Sequence, residues 1–258
     1  MNSVAQRFSG KVALVTGGNS GIGLAATLAF ARQGAAVVIA ARREQEGREA
    51  VAEIESEGGQ ALFVATDVSD GQSCKELVER TMERFGRLDF AFNNAGISGR
   101  GIPTADFSED AWNRTIAVNL DGVFLSMKYQ IPAMLESGGG AIVNNASVAG
   151  LNGAAVPGCA YVASKHGVVG LTKAAAAEYA DKGIRINVVC PAVIKTPMAE
   201  AAFADPVFRK MTYEQHAIGR VGEPEEVASA VMFLCSDDAS FLTGIALPID
   251  GGFMLFKG

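Results

Sequence analysis

The chain has 258 residues, 49% of them apolar and 30 of them glycine, with a formal net charge of −6. This suits a large, closely packed core with many tight turns, and an acidic chain with no concentration of Lys and Arg is a poor candidate for binding nucleic acid. Cys74, Cys159, Cys190 and Cys235 form no CxxC and, with only His166 and His216 beside them, suggest no zinc site, so free thiols in a reducing cytoplasm and no metal centre are expected. The opening "MNSVAQRFSG" lacks the apolar core of a signal peptide, and no apolar run approaches the roughly 20 residues of a membrane span, so a soluble cytoplasmic protein is expected.

Short apolar, β-prone runs alternate with longer helical patterns. The pattern predicts strands at 11–16, 35–40, 61–65, 88–93, 140–146, 184–190 and 244–250, with helices near 21–33, 44–57, 70–85, 108–136, 159–181 and 224–236. The strands are uniformly apolar, as parallel strands covered on both faces are. The alternation indicates an α/β fold, a Rossmann-type doubly wound parallel sheet forming a single domain over 1–258. The least regular stretch, 192–218, is a candidate lid. In such sheets ligands bind outside the carboxyl ends of the strands, so the residues after each strand carry the functional reading.

After the first strand comes "TGGNSGIG", Thr16 to Gly23, with turn glycines Gly17, Gly21 and Gly23 and the intervening Asn19, Ser20 and Ile22. A turn without Cβ atoms that opens a helix lets backbone amides approach a pyrophosphate. After the second strand no acid occupies 35–43. Arg42 and Arg43 stand there instead, and a guanidinium fork suits the extra phosphate of NADP(H) better than a free ribose hydroxyl. Asp67, with Val68 beside it, either accepts from an adenine amino group or caps the next helix. "NNAG" follows the fourth strand, and its Asn94, Ala95 and Gly96 form a small-residue turn suited to packing against a ribose.

Ser147 follows the fifth strand, and "YVASK" places Tyr161 and Lys165 four residues apart, on one face of a helix. Asn119 lies inside an apolar helical pattern, where a polar residue needs a reason. After the sixth strand "PAVIKTPM" brings Pro191, Val193, Ile194 and Thr196 toward the same edge.

These segments, together with "VNL" at 118–120, "GRVGEPEEVA" and "LPIDGG", resemble the short-chain dehydrogenase/reductase family over essentially the whole chain. The resemblance implies a seven-stranded Rossmann sheet, a nicotinamide cofactor and a catalytic set of Asn119, Ser147, Tyr161 and Lys165. It also implies that Lys165 holds the nicotinamide ribose, that Asn119 supports a water relay, that the loop at 192–196 holds the carboxamide, and that the protein is a homotetramer. Two departures are visible: Ala192 stands where glycine is usual, and the Ser147–Tyr161 spacing is one residue longer than common.

A tyrosine has an unperturbed pKa near 10, and a neighbouring cation lowers it. Tyr161 is therefore expected to serve as general acid in ketone reduction and general base in alcohol oxidation, tuned by Lys165, with Ser147 orienting the carbonyl. The expected activity is hydride transfer between NADP(H), preferred over NAD(H), and an apolar ketone or secondary alcohol. Met198, Phe203, Phe208 and Met211 of the candidate lid, and Phe253, Met254, Leu255 and Phe256 of the tail, could wall its pocket or serve a subunit contact. Two alternatives stand beside this. A 3-oxoacyl-carrier-protein reductase would want arginines near the site, and helices 122–136 and 159–181 carry only lysines. A cofactor-sensing regulator without catalysis would be expected to have lost part of the catalytic set, which is intact here.

Overall fold

In the computed structural model, residues 6–99, 101–153 and 156–255 are described, without the side chains of residues 201, 202 and 208. Phe256 thus lies outside the described residues, as does the side chain of Phe208. Seven strands, β1 (Val12–Thr16), β2 (Ala36–Ala41), β3 (Ala61–Ala65), β4 (Phe90–Asn93), β5 (Gly140–Asn145), β6 (Ile184–Pro191) and β7 (Ala246–Ile249), form one sheet. The order is β3-β2-β1-β4-β5-β6-β7, and every pairing is parallel.

Side chains alternate across the strands, and each face buries its own set. On one face Leu14, Val38, Ile142 and Val188 pack with Leu77, Met127 and Val168 of α3 (Gly71–Phe85), α5 (Gly122–Glu136) and α6 (Cys159–Tyr179). On the other, Val15, Ile39, Phe92 and Val189 meet Phe30, Ile54 and Val231 of α1 (Gly21–Arg32), α2 (Glu44–Ser56) and α9 (Pro224–Cys235). The edge strands β3 and β7 are the least buried, because each has one paired neighbour.

Two expectations change. The helix predicted over 108–136 is two, α4 (Glu109–Ile116) and α5, joined through a π-helical turn at Ala117–Asp121. The irregular 192–218 stretch holds α7 (Pro197–Phe203) and α8 (Pro206–Gln215). Proline opens both, at the position where its missing N–H costs nothing. Strand order reverses between β1 and β4, so the crevice for a ligand opens above the turn after β1 and the "NNAG" turn after β4.

Candidate active site

The turn after β1 is shaped for close approach. Gly17 (φ 64°) and Gly21 (φ 52°) adopt left-handed backbone that favours glycine. A Cβ on Gly17 would stand 2.9 Å from Asn94 Nδ2, one on Gly21 3.1 Å from Thr196 Cγ2, and one on Gly23 would overlap the Gly17 carbonyl oxygen. Ser20 is the N-cap of α1 and makes no side-chain cap hydrogen bond, which leaves first-turn amides open to an anion. Asn19 is buried, and its Nδ2 donates to the Arg43 carbonyl (3.2 Å), tying the turn to the end of β2. Ile22 packs against the α1 face of the core. A cradle that Cβ atoms would fill, at a helix N-terminus, fits the pyrophosphate of a dinucleotide.

The "NNAG" turn is locked to the same place. Asn94 and Ala95 donate their amides to Thr16 Oγ1 (3.0 and 3.1 Å), and Asn94 Nδ2 donates to the carbonyls of Thr16 and Gly17. At the end of β2, Ala41 is buried and Arg42 exposed, while Arg43 pairs with Glu46 at 2.8 Å. Asp67 accepts from the Ser69 amide and hydroxyl (3.0 and 2.7 Å). The Ser69 hydrogen bonds, aided by the Arg42 charge, hold its carboxyl below the usual range. The helix-capping alternative for Asp67 falls to Asp70, whose carboxylate takes the Gln72 and Ser73 amides of α3. Val68 is buried beneath Gly122, where a Cβ would come within 2.8 Å of its Cγ2.

The carboxyl ends of β5 and β6 and the first turns of α6 bring Ser147, Tyr161 and Lys165 together. The Ser147 side chain lies in range of the Tyr161 hydroxyl and favours its ionised form. Ser147 Oγ also donates to the Pro191 carbonyl (3.3 Å) and accepts the Ala149 amide (3.2 Å). Lys165 is buried, donates to the Asn145 carbonyl at 2.8 Å, and holds its ammonium 5.5 Å from the centre of the Tyr161 ring. Burial pulls Lys165 from 10.5 to about 8. Burial pushes Tyr161 up, against the influence of the Ser147 side chain. This corrects the expected lowering of Tyr161: without a further positive charge desolvation prevails, and the lysine loses its proton before the tyrosine. The Pro191–Thr196 loop is fixed by Ala192 N to the Ile249 carbonyl and by mutual bonds between Val193, Lys195 and Gly222. Ile194 is buried, and Thr196 stands at the N-cap position of α7 with its hydroxyl donating to the Ile194 carbonyl rather than capping the helix.

Asn119 is fully buried in the π-helical turn. Its Oδ1 accepts the Ile97 amide (2.8 Å) and its Nδ2 donates to the Ile97 carbonyl (3.1 Å). Its side chain is therefore spent on the loop after β4, which is the reason a polar residue sits in that apolar pattern.

Asn145 was not singled out from the sequence. Its Nδ2 donates to Asn94 Oδ1 (2.9 Å), so it links the nucleotide turn to the strand end that holds Lys165, while its own Oδ1 is buried without a partner. The second asparagine of "VNNAS", polar at the end of an apolar strand, was the available signal. Beneath the site a buried network was also missed: Asn93 bonds with Gln130 and Asn144, and Asn144 with Thr172.

A family model described as Enoyl-(Acyl carrier protein) reductase matches residues 17–254. The cyclohexanol dehydrogenase of Acinetobacter sp. (strain SE19) is 49% identical over 251 residues, covering 97% of each chain. A 2,5-dichloro-2,5-cyclohexadiene-1,4-diol dehydrogenase of Sphingobium indicum is 44% identical over 95% of this chain and 98% of its own. The crystal structure of levodione reductase superposes with a TM-score of 0.93 at 38% identity, covering 97% of this chain and 100% of that one. The fold and these relatives define a Rossmann-type oxidoreductase that uses a nicotinamide cofactor. The chain belongs to the short-chain dehydrogenase/reductase family, as an NAD(P)-dependent alcohol dehydrogenase or carbonyl reductase.

Proposed function

We propose that the protein interconverts a ring ketone and its secondary alcohol, with Tyr161 as the proton-transferring group and NADP(H) preferred over NAD(H). The observation that carries this is Tyr161, with Ser147 in range of its hydroxyl and the buried Lys165 ammonium beside its ring. The bound nicotinamide supplies or accepts the hydride. In reduction, Ser147 orients the carbonyl oxygen and Tyr161, kept neutral by burial, gives it a proton. In oxidation the same hydroxyl oxygen takes the proton back. Asn119 contributes by fixing the Ile97 backbone beside the site.

The ring substrate is suggested by the relatives that act, by name, on cyclohexanol and a cyclohexadienediol. Exposed Met198 and Met211 on α7 and α8 offer apolar contacts for it. Support for NADP(H) comes from Arg42: it is exposed after buried Ala41, forms no ion pair among the described residues, and no acid occupies 35–43. A homotetramer is supported by apolar or small side chains left exposed on α5 and α6: Phe124, Leu135, Ala163, Gly170, Ala174 and Ala177. Sedimentation at micromolar concentration tests the assembly.

The family model's description keeps an acyl-carrier substrate in view, but α5 and α6 expose Lys128 and Lys173 and carry no arginine. The deciding experiment is a panel of ring ketones, linear ketones, 3-oxoesters and 3-oxoacyl thioesters, followed by NADPH and NADH consumption. Ring ketones are expected to be turned over best. Preference for thioesters, or no turnover of any carbonyl, overturns the reading.

A further inference from the structure

We propose that Gly99 sets how closely the loop after β4 closes on Tyr161, and so sets the size of ketone the site admits; this rests on the ketone-reductase reading above. Gly99 is not among the glycines with positive φ, so its backbone does not require glycine. The requirement is contact. A Cβ there would overlap the Pro157 carbonyl oxygen, and it would stand 2.7 Å from the Pro157 carbonyl carbon and 2.7 Å from Tyr161 Cβ. None of these atoms is the free end of a flexible side chain, so even one methyl must displace a chain segment.

The surroundings decide which segment yields. Tyr161 is fixed in the first turn of the 21-residue α6, between buried Ala160 and Ser164. Two residues before Gly99, both backbone groups of Ile97 are held by Asn119. Ser98, Gly101 and Ile102, by contrast, are exposed. A side chain at 99 therefore moves Gly99 and the exposed Ser98, Gly101 and Ile102 outward from Tyr161, loosening the loop's contact with the tyrosine side chain and widening the site. The nucleotide turn after β1 is not part of this crossing, and the clamped Ile97 stands between the crossing and the Asn94–Gly96 turn, so the cofactor's cradle stays in place.

The test is Gly99→Ala, assayed by kcat/KM for cyclohexanone and for a bulkier bicyclic ring ketone, with NADPH affinity measured separately by fluorescence. The bicyclic-to-cyclohexanone ratio is expected to rise about tenfold, the scale of one methylene in a pocket, chiefly through KM, with cofactor Kd unchanged. Ser98→Gly, at an exposed position, loosens the same segment without adding a side chain and is expected to move the ratio in the same direction; it decides the matter if Gly99→Ala does not fold. An unchanged ratio, or an equal loss on both ketones with weakened cofactor binding, overturns the inference. A wild-type enzyme that reduces no ring ketone overturns the underlying reading instead.

Discussion

Replacing Lys165 with methionine probes the least exposed charge of the site. Methionine is unbranched and apolar, so it suits the buried position while removing the cation. The ammonium lies 5.5 Å from the Tyr161 ring centre. Unit charges at that separation, in an effective dielectric of about 20, interact by about 3 kcal/mol, or about a hundredfold in rate. Burial moves Lys165 down from 10.5 to about 8, so the group is cationic below that value and neutral above it. Tyr161 is pushed up and stays protonated through the same range. Of the other groups facing the ammonium, the Cys190 thiol is pushed up to about 11 by burial and stays neutral. Lys165 is therefore expected to titrate alone near pH 8. The assay is kcat/KM for the ketone at saturating NADPH, which reports the groups that the incoming ketone meets. Wild type should be level below about pH 8 and fall above it, approaching about tenfold per pH unit. Lys165→Met should lie about a hundredfold lower at pH 7 and lack that limb. A wild-type rate still level at pH 10, or a mutant that keeps the limb, would refute the reasoning.

Tyr161→Phe keeps the ring and removes the proton donor, so turnover should fall by about 10²–10⁴ while cofactor Kd is unchanged; half the wild-type kcat would sink the assignment. The double change Ala41→Asp with Arg42→Ile should reverse a preference for NADPH over NADH of about ten- to hundredfold, read as kcat/KM for each cofactor. Wild type already favouring NADH would reduce Arg42 to a solvated side chain. Asn144→Leu leaves the Asn93 amide and Thr172 hydroxyl short of partners. That should cost about 1–3 kcal/mol, lowering Tm by about 2–4 °C for each kcal/mol, and an unchanged Tm would show the network to be dispensable.

The parts of the molecule legible in the sequence were those whose cause is local. The glycine turn is read from missing Cβ atoms, the strands from continuous apolar runs, and the shared helix face of Tyr161 and Lys165 from their spacing, which gained its meaning only beside the other residues that follow the strands. The boundary at residue 88 was misplaced because Leu88 is apolar and buried, yet Asp89 turns its carboxylate to Lys11, Arg87 and the Val12 amide before β4 begins at Phe90. α8 stayed hidden because Val207 and Met211 are exposed and leave no core-facing stripe to read. The direction of the Tyr161 shift depends on burial against residues far along the chain, which spacing does not carry. Gly99 gave no signal at all, since its neighbour Pro157 is distant in sequence and its φ is ordinary.

The π-helical turn at Ala117–Asp121 also bears on how this chain can change in length. Such a turn holds one residue more than the α-helix it interrupts. Deleting a single residue there would fuse α4 and α5 into one continuous helix, which on backbone grounds alone is the more comfortable arrangement. Because the turn takes up its extra residue within one helical turn, α4 and α5 would keep their phase on either side, and the change would fall on the turn itself. Asn119 would then swing away from Ile97, and the loop that passes Tyr161 would lose its clamp. The extra residue thus serves to aim one buried side chain, and a shortening that relaxes the backbone would unclamp the substrate side of the enzyme while leaving the sheet beneath it intact.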